Sequence, residues 1–287
     1  MAHAKINGFT LIELSIVLVI IGLIIGGVLV GRDLISAAKV RSQISQIEKY
    51  NTAAHTFQLK YNNYLPGDIP DPLATSLGLT PRGTDVGEGD GNGIIQGPWG
   101  AGHGDGVNIE CGETALFWDD LSAAKLIGGS FTGASATVCP GPTLAPAEYG
   151  TYYPQAAIGQ GNYVYATSLS NGNNYFGIEP ITGFGWGGLP NAAAGLTVAQ
   201  AFAIDSKIDD GQPMTGRVLD IALGQGLGWA GFPGSGYVPP GDVSGITGSV
   251  NSADNCIYKE GPMSEFQYSI NFNNGSGMNC DLMIQFQ

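Results

Sequence analysis

Residues 7–31, NGFTLIELSIVLVIIGLIIGGVLVG, hold one charged side chain, Glu13, and Arg32 follows directly. The 18 residues from Leu14 to Gly31 carry no charge at all. A helix rises about 1.5 Å per residue, so residues 9–31 would cover about 35 Å, enough to cross the hydrocarbon core of a bilayer. Two plain accounts fit poorly. A secretory signal peptide has a shorter apolar run and an A-x-A-like cleavage site after it. An ordinary membrane anchor leaves Glu13 unexplained, because an ionised carboxylate deep in lipid costs about 2.5–3.5 kcal/mol on insertion scales. A carboxylate placed there implies a partner.

Beyond Arg32 the helix is expected to continue. Val40, Ile44, Ile47, Ala54, Phe57 and Tyr61 recur at helical spacing. Arg41, Gln43, Gln46, Glu48 and Lys49 fall off that stripe. The apolar face should pack on a soluble head. Pro66 should end the helix, since proline disfavours a helical Leu65 and lacks a donor. The expected spine is one helix of about 50 residues, about 75 Å long.

The chain has 287 residues, 43% of them apolar, enough for one large or two small domains. Charged residues are only 12% and glycine reaches 46, which describes a loop-rich chain. With 12 Tyr, 11 Phe and 4 Trp it is too aromatic to be disordered. The net charge is −13 and no Lys/Arg cluster exists, which argues against a nucleic-acid partner. The four cysteines, Cys111, Cys139, Cys256 and Cys280, form no CxxC pair, so zinc and thioredoxin-type readings fail on spacing. An even count beside a membrane-targeting start suggests an oxidising compartment. Of three possible pairings the local ones, Cys111–Cys139 and Cys256–Cys280, are preferred. The alternative is four buried free thiols.

Gly8-Phe9-Thr10-Leu11-Ile12-Glu13, followed by the unbroken apolar run, resembles the processing signature of type IV prepilins and of the related pseudopilins of type II secretion. The resemblance implies a leader, Met1–Gly8, removed by a prepilin peptidase that cuts between Gly8 and Phe9, and N-methylation of Phe9. Losing Lys5 would leave 10 basic against 24 acidic residues, a net charge of −14. It also implies a role for Glu13: pairing with the new Phe9 amine of a neighbouring subunit, an attraction that is strong in low dielectric. Gly22, Gly26, Gly27 and Gly31 give two GxxxG spacings that allow close helix approach, or are simply tolerated in a membrane helix. Many pilins carry a proline near the place of Val30, and this chain has none.

The implied fold is α+β and type IV pilin-like. A long N-terminal hydrophobic helix (9–63, with 9–31 as membrane span and filament core) packs on an antiparallel β-sheet head with long loops (64–287). The implied partners are other pilin subunits, the prepilin peptidase and an inner-membrane assembly platform. The subunit would begin as a single-pass inner-membrane protein with a periplasmic head. It would end in a surface pilus or a periplasmic pseudopilus.

Within the head, Asp85-Val86-Gly87-Glu88-Gly89-Asp90-Gly91-Asn92-Gly93 alternates oxygen-bearing groups with glycine. That resembles the start of a calcium loop, with Asp85, Glu88, Asp90, Asn92 and a later Asp105 as candidate ligands. Glu88 stands in place of the first Asp, and Trp99 where a bidentate Glu belongs. The alternative is a solvated acidic turn. Thr114–Ile127 should form an amphipathic helix closed by Gly128-Gly129, and its Glu113…Leu116-Phe117-Trp118…Leu121 pattern is similar to a helix of large prepilin-type heads. A second helix should open at Thr197 with Gln200 as capping box and end at Gly211, before Pro213. Its terminal carboxylates are expected in solvent. Strands are expected over 162–169 and 174–178 around a turn, and as a C-terminal hairpin in which Phe266, Tyr268, Ile270 and Phe272 face Cys280, Leu282, Ile284 and Phe286. Residues 183–195 and 224–241, with Trp186 and Trp229, read as long surface loops.

No GxSxG, HExxH, GxxxxGK[ST] or strand-flanked GxGxxG motif is present, and His103 is the lone histidine of the head, so no enzyme is expected. The expected function is structural, as a pilus or pseudopilus subunit. The size of the head favours a minor or atypically large pilin. The rival is an adhesin or other binding protein that uses the helix as an anchor and its head loops for recognition.

Overall fold

A computed structural model gives the structure of the protein over residues 10–83, 85–97, 111–135, 144–169, 171–184, 190–192, 194–220, 256–258, 266–271 and 273–286. Helix α1 spans Leu11–Lys60, 50 residues without a break. Thr10 opens it as an N-cap in extended backbone, with Glu13 completing a capping box. Asn62 and Asn63, at φ of 54° and 71°, turn the chain away after it, ahead of Pro66. The helix has two unlike halves. From Leu11 to Lys39 no residue is buried. From Val40 on, Val40, Gln43, Ile47, Ala53, Ala54 and Phe57 are.

Gln43 corrects the apolar-stripe reading, which set it outside the packed face. It is fully buried, and its Oε1 accepts the N–H of Ile158 at 3.0 Å. One turn on, Gln46 accepts the N–H of Ala157 at 2.7 Å and donates to the Gln155 carbonyl at 2.8 Å. Two glutamines thus pair with the backbone of 155–158, which the sheet ladders do not satisfy. A buried amide side chain is stable only with such partners.

The head holds a sheet of four antiparallel strands: β1 (Asn162–Ser168), β2 (Asn174–Phe184), β5 (Val218–Asp220) and β9 (Leu282–Gln285), in the order β1–β2–β9–β5. Strand β3 (Pro190–Ala192) pairs with the far end of β2. Two small ladders join β4 (Leu196–Thr197) to β8 (Met278–Cys280) and β6 (Ile257–Tyr258) to β7 (Gln267–Tyr268). Among the described residues the head also holds four α-helices: α2 (Leu73–Ser76), α3 (Gly112–Ala123), α4 (Tyr149–Tyr152) and α5 (Val198–Ile208).

The β1–β2 hairpin forms with Ser168 opposite Asn174. The C-terminal hairpin does not. Tyr268 pairs with Ile257, and β9 inserts between β2 and β5. The alternation of Leu282, Ile284 and Phe286 misled because β9 is an inner strand: Met283, on its other face, is just as buried. Helix α3 ends before the expected glycines, at an Ala124 cap followed by Lys125 at φ 60°.

The core lies where α1, α3 and one sheet face meet. Trp118 of α3 stands edge-on to Tyr50 of α1 at 4.8 Å and 5.9 Å from Phe176 of β2. Phe176 stacks on Phe286 at 4.2 Å. Each such pair adds about 0.5–1.5 kcal/mol beyond area burial. On the opposite face Tyr165 lies flat over Gly177, where any Cβ would collide with its ring.

Cys256 and Cys280 are bonded to each other, with Cα atoms 5.0 Å apart and a sequence separation of 24. Cys111 is also disulfide-bonded, and Cys139 lies outside the described residues. Closing a loop of this size removes unfolded-state entropy worth about 3 kcal/mol. Exchanging Cys256 and Cys280 together for serine should lower the unfolding free energy of the detergent-solubilised chain by about that much. A loss well under 1 kcal/mol would mean that the β4–β8 and β6–β7 ladders hold this end without the crosslink.

Candidate functional site

Two regions of the molecule call for a function. The first is the bare half of α1. Leu11 through Ile35 present a continuous apolar surface to their surroundings, and α1 is long and apolar enough to cross a membrane. At Gly22, Gly26, Gly27 and Gly31 nothing lies within 4 Å of where a Cβ would sit, so no part of the described chain uses their small size. Gly8 and Phe9 lie outside the described residues. Glu13 sits in the first turn, and its Oε2 accepts the Thr10 N–H at 2.8 Å and the Thr10 hydroxyl at 2.7 Å. Among the described residues its Oε1 accepts nothing, which leaves one carboxylate oxygen open.

The second region is the glycine-rich acidic loop. Its carboxylates do not converge as the sequence spacing suggested. Asp90 is joined instead by Asp68 and Glu113, and their oxygens lie within 4.8 Å of one another. Asp85 is exposed, and its carbonyl accepts the Glu88 N–H at 2.9 Å. Asn92 is exposed and donates to Asp90 at 2.8 Å. Asp105 lies outside the described residues.

The two added members came from segments read otherwise, Asp68 from the turn that stops α1 and Glu113 from the first turn of α3. The one sequence signal for Glu113 is its place in the first turn of a largely apolar helix. Both are buried and gather the backbone of the loop. Glu113 accepts the N–H groups of Gly89 at 2.9 Å, Asp90 at 3.3 Å and Gln96 at 3.0 Å. Asp68 accepts those of Gly91 and Gly93, each at 2.8 Å. Glycine suits this wrapping: Gly89, Gly91 and Gly93 all have positive φ. Beneath the loop, Arg82 makes a two-pronged buried ion pair with Asp120, at 2.7 and 2.9 Å.

Burial pushes the Asp68 carboxyl up to about 7 against the pull of its N–H donors. Burial, with the nearby Asp68, pushes Glu113 well above the usual carboxylate range. Three carboxylates with no nitrogen or sulfur donor form a hard oxygen set that suits calcium. A second acidic group, Asp205 with Asp209 and Asp210, ends α5. Asp205 is not solvated there as expected: it is buried, accepting the Tyr268 hydroxyl at 2.9 Å and the Gly211 N–H at 3.0 Å. A third, Asp220 with Cys256 and Cys280, offers no thiolate because the sulfurs are bonded together. Of the expected loop 183–195, β2 takes the first two residues and β3 takes Pro190–Ala192, while 185–189 and 193, and all of 224–241, lie outside the described residues.

One family model matches the chain: the prokaryotic N-terminal methylation motif, over residues 3–29. It covers Glu13 and most of the bare half of α1, and none of the head. No curated protein and no solved structure matches the chain.

The acid-lined loop makes stability depend on pH in a definite sense. A carboxyl whose folded pKa is raised binds its proton more tightly when folded. Its stabilisation is present below the unfolded value and is lost as pH rises through the folded one. For Asp68 that window ends near pH 7, and the raised Asp281, also about 7, acts in the same direction. Without divalent cations the chain should melt lower at pH 8 than at pH 5, with Asp68 alone contributing on the order of 2 kcal/mol. Asp68→Asn should flatten the slope. An unchanged slope in that variant would place the proton linkage elsewhere.

Proposed function

We propose, starting from a prepilin-type signature at residues 3–29, that the chain is a structural subunit of a type IV pilus or a type II secretion pseudopilus. The observation that carries this reading is a coincidence of position. The signature falls on the half of α1 that no described residue covers, while the other half is fastened to the head. A helix built this way suits two successive environments, the bilayer and a bundle of like helices. Prepilin peptidase would cut between Gly8 and Phe9 and methylate Phe9. Glu13 would then offer its open Oε1 to the Phe9 amine of the next subunit. The subunit would wait in the inner membrane with its head in the periplasm and leave through an assembly platform. The large head favours a minor or atypically large pilin.

Two measurements test this. Intact-mass analysis should find a chain that begins at Phe9, methylated. Glu13→Ala should leave a processed, membrane-resident subunit whose share in sheared fibres falls at least about tenfold, because an incoming amine left unpaired in low dielectric costs several kcal/mol. Glu13→Asp should be intermediate. Parental incorporation of Glu13→Ala would favour the rival, a membrane-anchored binding protein, since a mere anchor has no use for the carboxylate.

We also propose that the head takes calcium at Asp68, Asp90 and Glu113, with Asn92 beside them. Carboxylates this close repel when ionised, and a divalent cation offsets that repulsion. Calcium should therefore raise the melting temperature over a chelator control, following RT ln(1 + [L]/Kd), and Asp90→Ala should abolish the rise. Equal melting with calcium and chelator would leave the loop as a backbone clamp that holds protons only.

A further inference from the structure

Asparagine followed by glycine is the chemically weakest pair in an aged protein, and the head contains three such pairs. They are Asn92-Gly93, Asn171-Gly172 and Asn274-Gly275. In each, the backbone nitrogen of the glycine can attack the side-chain carbonyl carbon of the asparagine. The new C–N bond closes a succinimide ring, and the amide nitrogen departs as ammonia. Water then opens the ring to aspartate or isoaspartate. The attack requires a free side-chain amide and a free glycine N–H, so hydrogen bonds to either must first be broken by local opening.

Two of the three pairs are fastened at every one of these groups. At Asn92, Nδ2 donates to Asp90 at 2.8 Å, Oδ1 accepts the Ile94 N–H at 2.7 Å, and the Gly93 N–H is held by Asp68 at 2.8 Å. At Asn171, Nδ2 donates to the Tyr175 hydroxyl at 2.7 Å, Oδ1 accepts the Asn173 N–H at 3.0 Å, and the Gly172 N–H donates to the Leu169 carbonyl at 2.9 Å. Asn274 differs. It is exposed, at φ 52° and ψ 31° in the turn before β8. Among the described residues its side chain makes no hydrogen bond, and Gly275 closes a single 3-10 turn, Asn273–Gly275.

Gly275 packs against the N–H of Ala199 in the first turn of α5, 3.0 Å from where a Cβ would stand, which sets this turn beside α5.

We propose that Asn274 is a site of spontaneous deamidation in the folded subunit, adding one negative charge at the turn beside α5, while Asn92 and Asn171 are protected by their hydrogen bonds. The inference does not depend on the filament reading.

The full chain in detergent micelles, kept at pH 8 and 37 °C, is digested at intervals. Peptide mass spectrometry follows the mass gain of about 1 Da at each asparagine. Each hydrogen bond adds roughly a fivefold barrier to opening, so Asn274 should convert at least about tenfold faster than Asn92 or Asn171. In concentrated urea the three rates should converge. Tyr175→Phe, which removes the acceptor for Asn171 Nδ2, should speed Asn171 severalfold and leave Asn274 unchanged. The proposal is overturned if Asn92 or Asn171 converts as fast as Asn274 in the folded chain, or if Asn274 stays intact when folded yet converts in urea. It is equally overturned if Tyr175→Phe leaves Asn171 as slow as before.

Discussion

One helix has to be bare at one end and fastened at the other, and the rest of the structure follows from how the fastening is done. The apolar stripe from Val40 to Phe57 supplies burial, but burial alone lets a helix slide or roll on a smooth surface. Gln43 and Gln46 remove that freedom, because each bonds backbone groups at fixed positions in 155–158. Tyr50 adds a third point by standing against Trp118 and Phe176. The helix, α3 and the sheet therefore form one packed unit. Displacing the bare half along its axis would carry the head with it. A subunit drawn out of a membrane by its neighbours needs such a rigid joint.

The second constraint is acidity in the interior. Among the described residues Arg82 is the one buried base, while Asp68, Glu113, Asp120, Glu179, Asp205 and Asp281 are all buried. Asp120 takes Arg82. The others rely on backbone N–H groups, hydroxyls and protons. Continuing the β2–β9 register by one rung puts Glu179 opposite Asp281, two acids on one sheet face. Like charges so placed repel, and burial strengthens the repulsion. The head is thus a fold whose buried carboxyls favour holding protons.

What the sequence revealed follows from the range over which its signals act. The spine was legible because an uncharged run, a helical stripe and a proline are local facts, and α1 spans the 50 residues they delimit. The capping box at Thr197 and the β1–β2 turn were legible for the same reason. The C-terminal hairpin was misread because alternation reports only a strand's own faces, and Leu282–Gln285 finds its neighbours in β2 and β5, at least 62 residues away in sequence. The acidic loop was half legible. Its turns are written in glycine, but Asp68 and Glu113 reach it from segments 17 or more residues distant. Gln43 was missed because polar residues carry no periodic signal that separates a buried clamp from a solvated face.

The charge map joins these strands of argument. After α1, residues 61–287 hold 21 acids against 5 bases, a net charge of −16, while residues 10–60 hold 5 bases against 3 acids. In the proposed filament, heads of that charge would repel one another. The repulsion acts over about 8–10 Å in physiological salt and is weakened by any cation that binds. It would oppose the apolar attraction between bare helices that the proposed assembly relies on. The attraction belongs to the inner bundle and does not depend on salt, whereas the repulsion belongs to the surface and does. The balance between a growing and a dissolving filament would then be set at the heads, by ionic strength and bound cations, although the helices supply the cohesion.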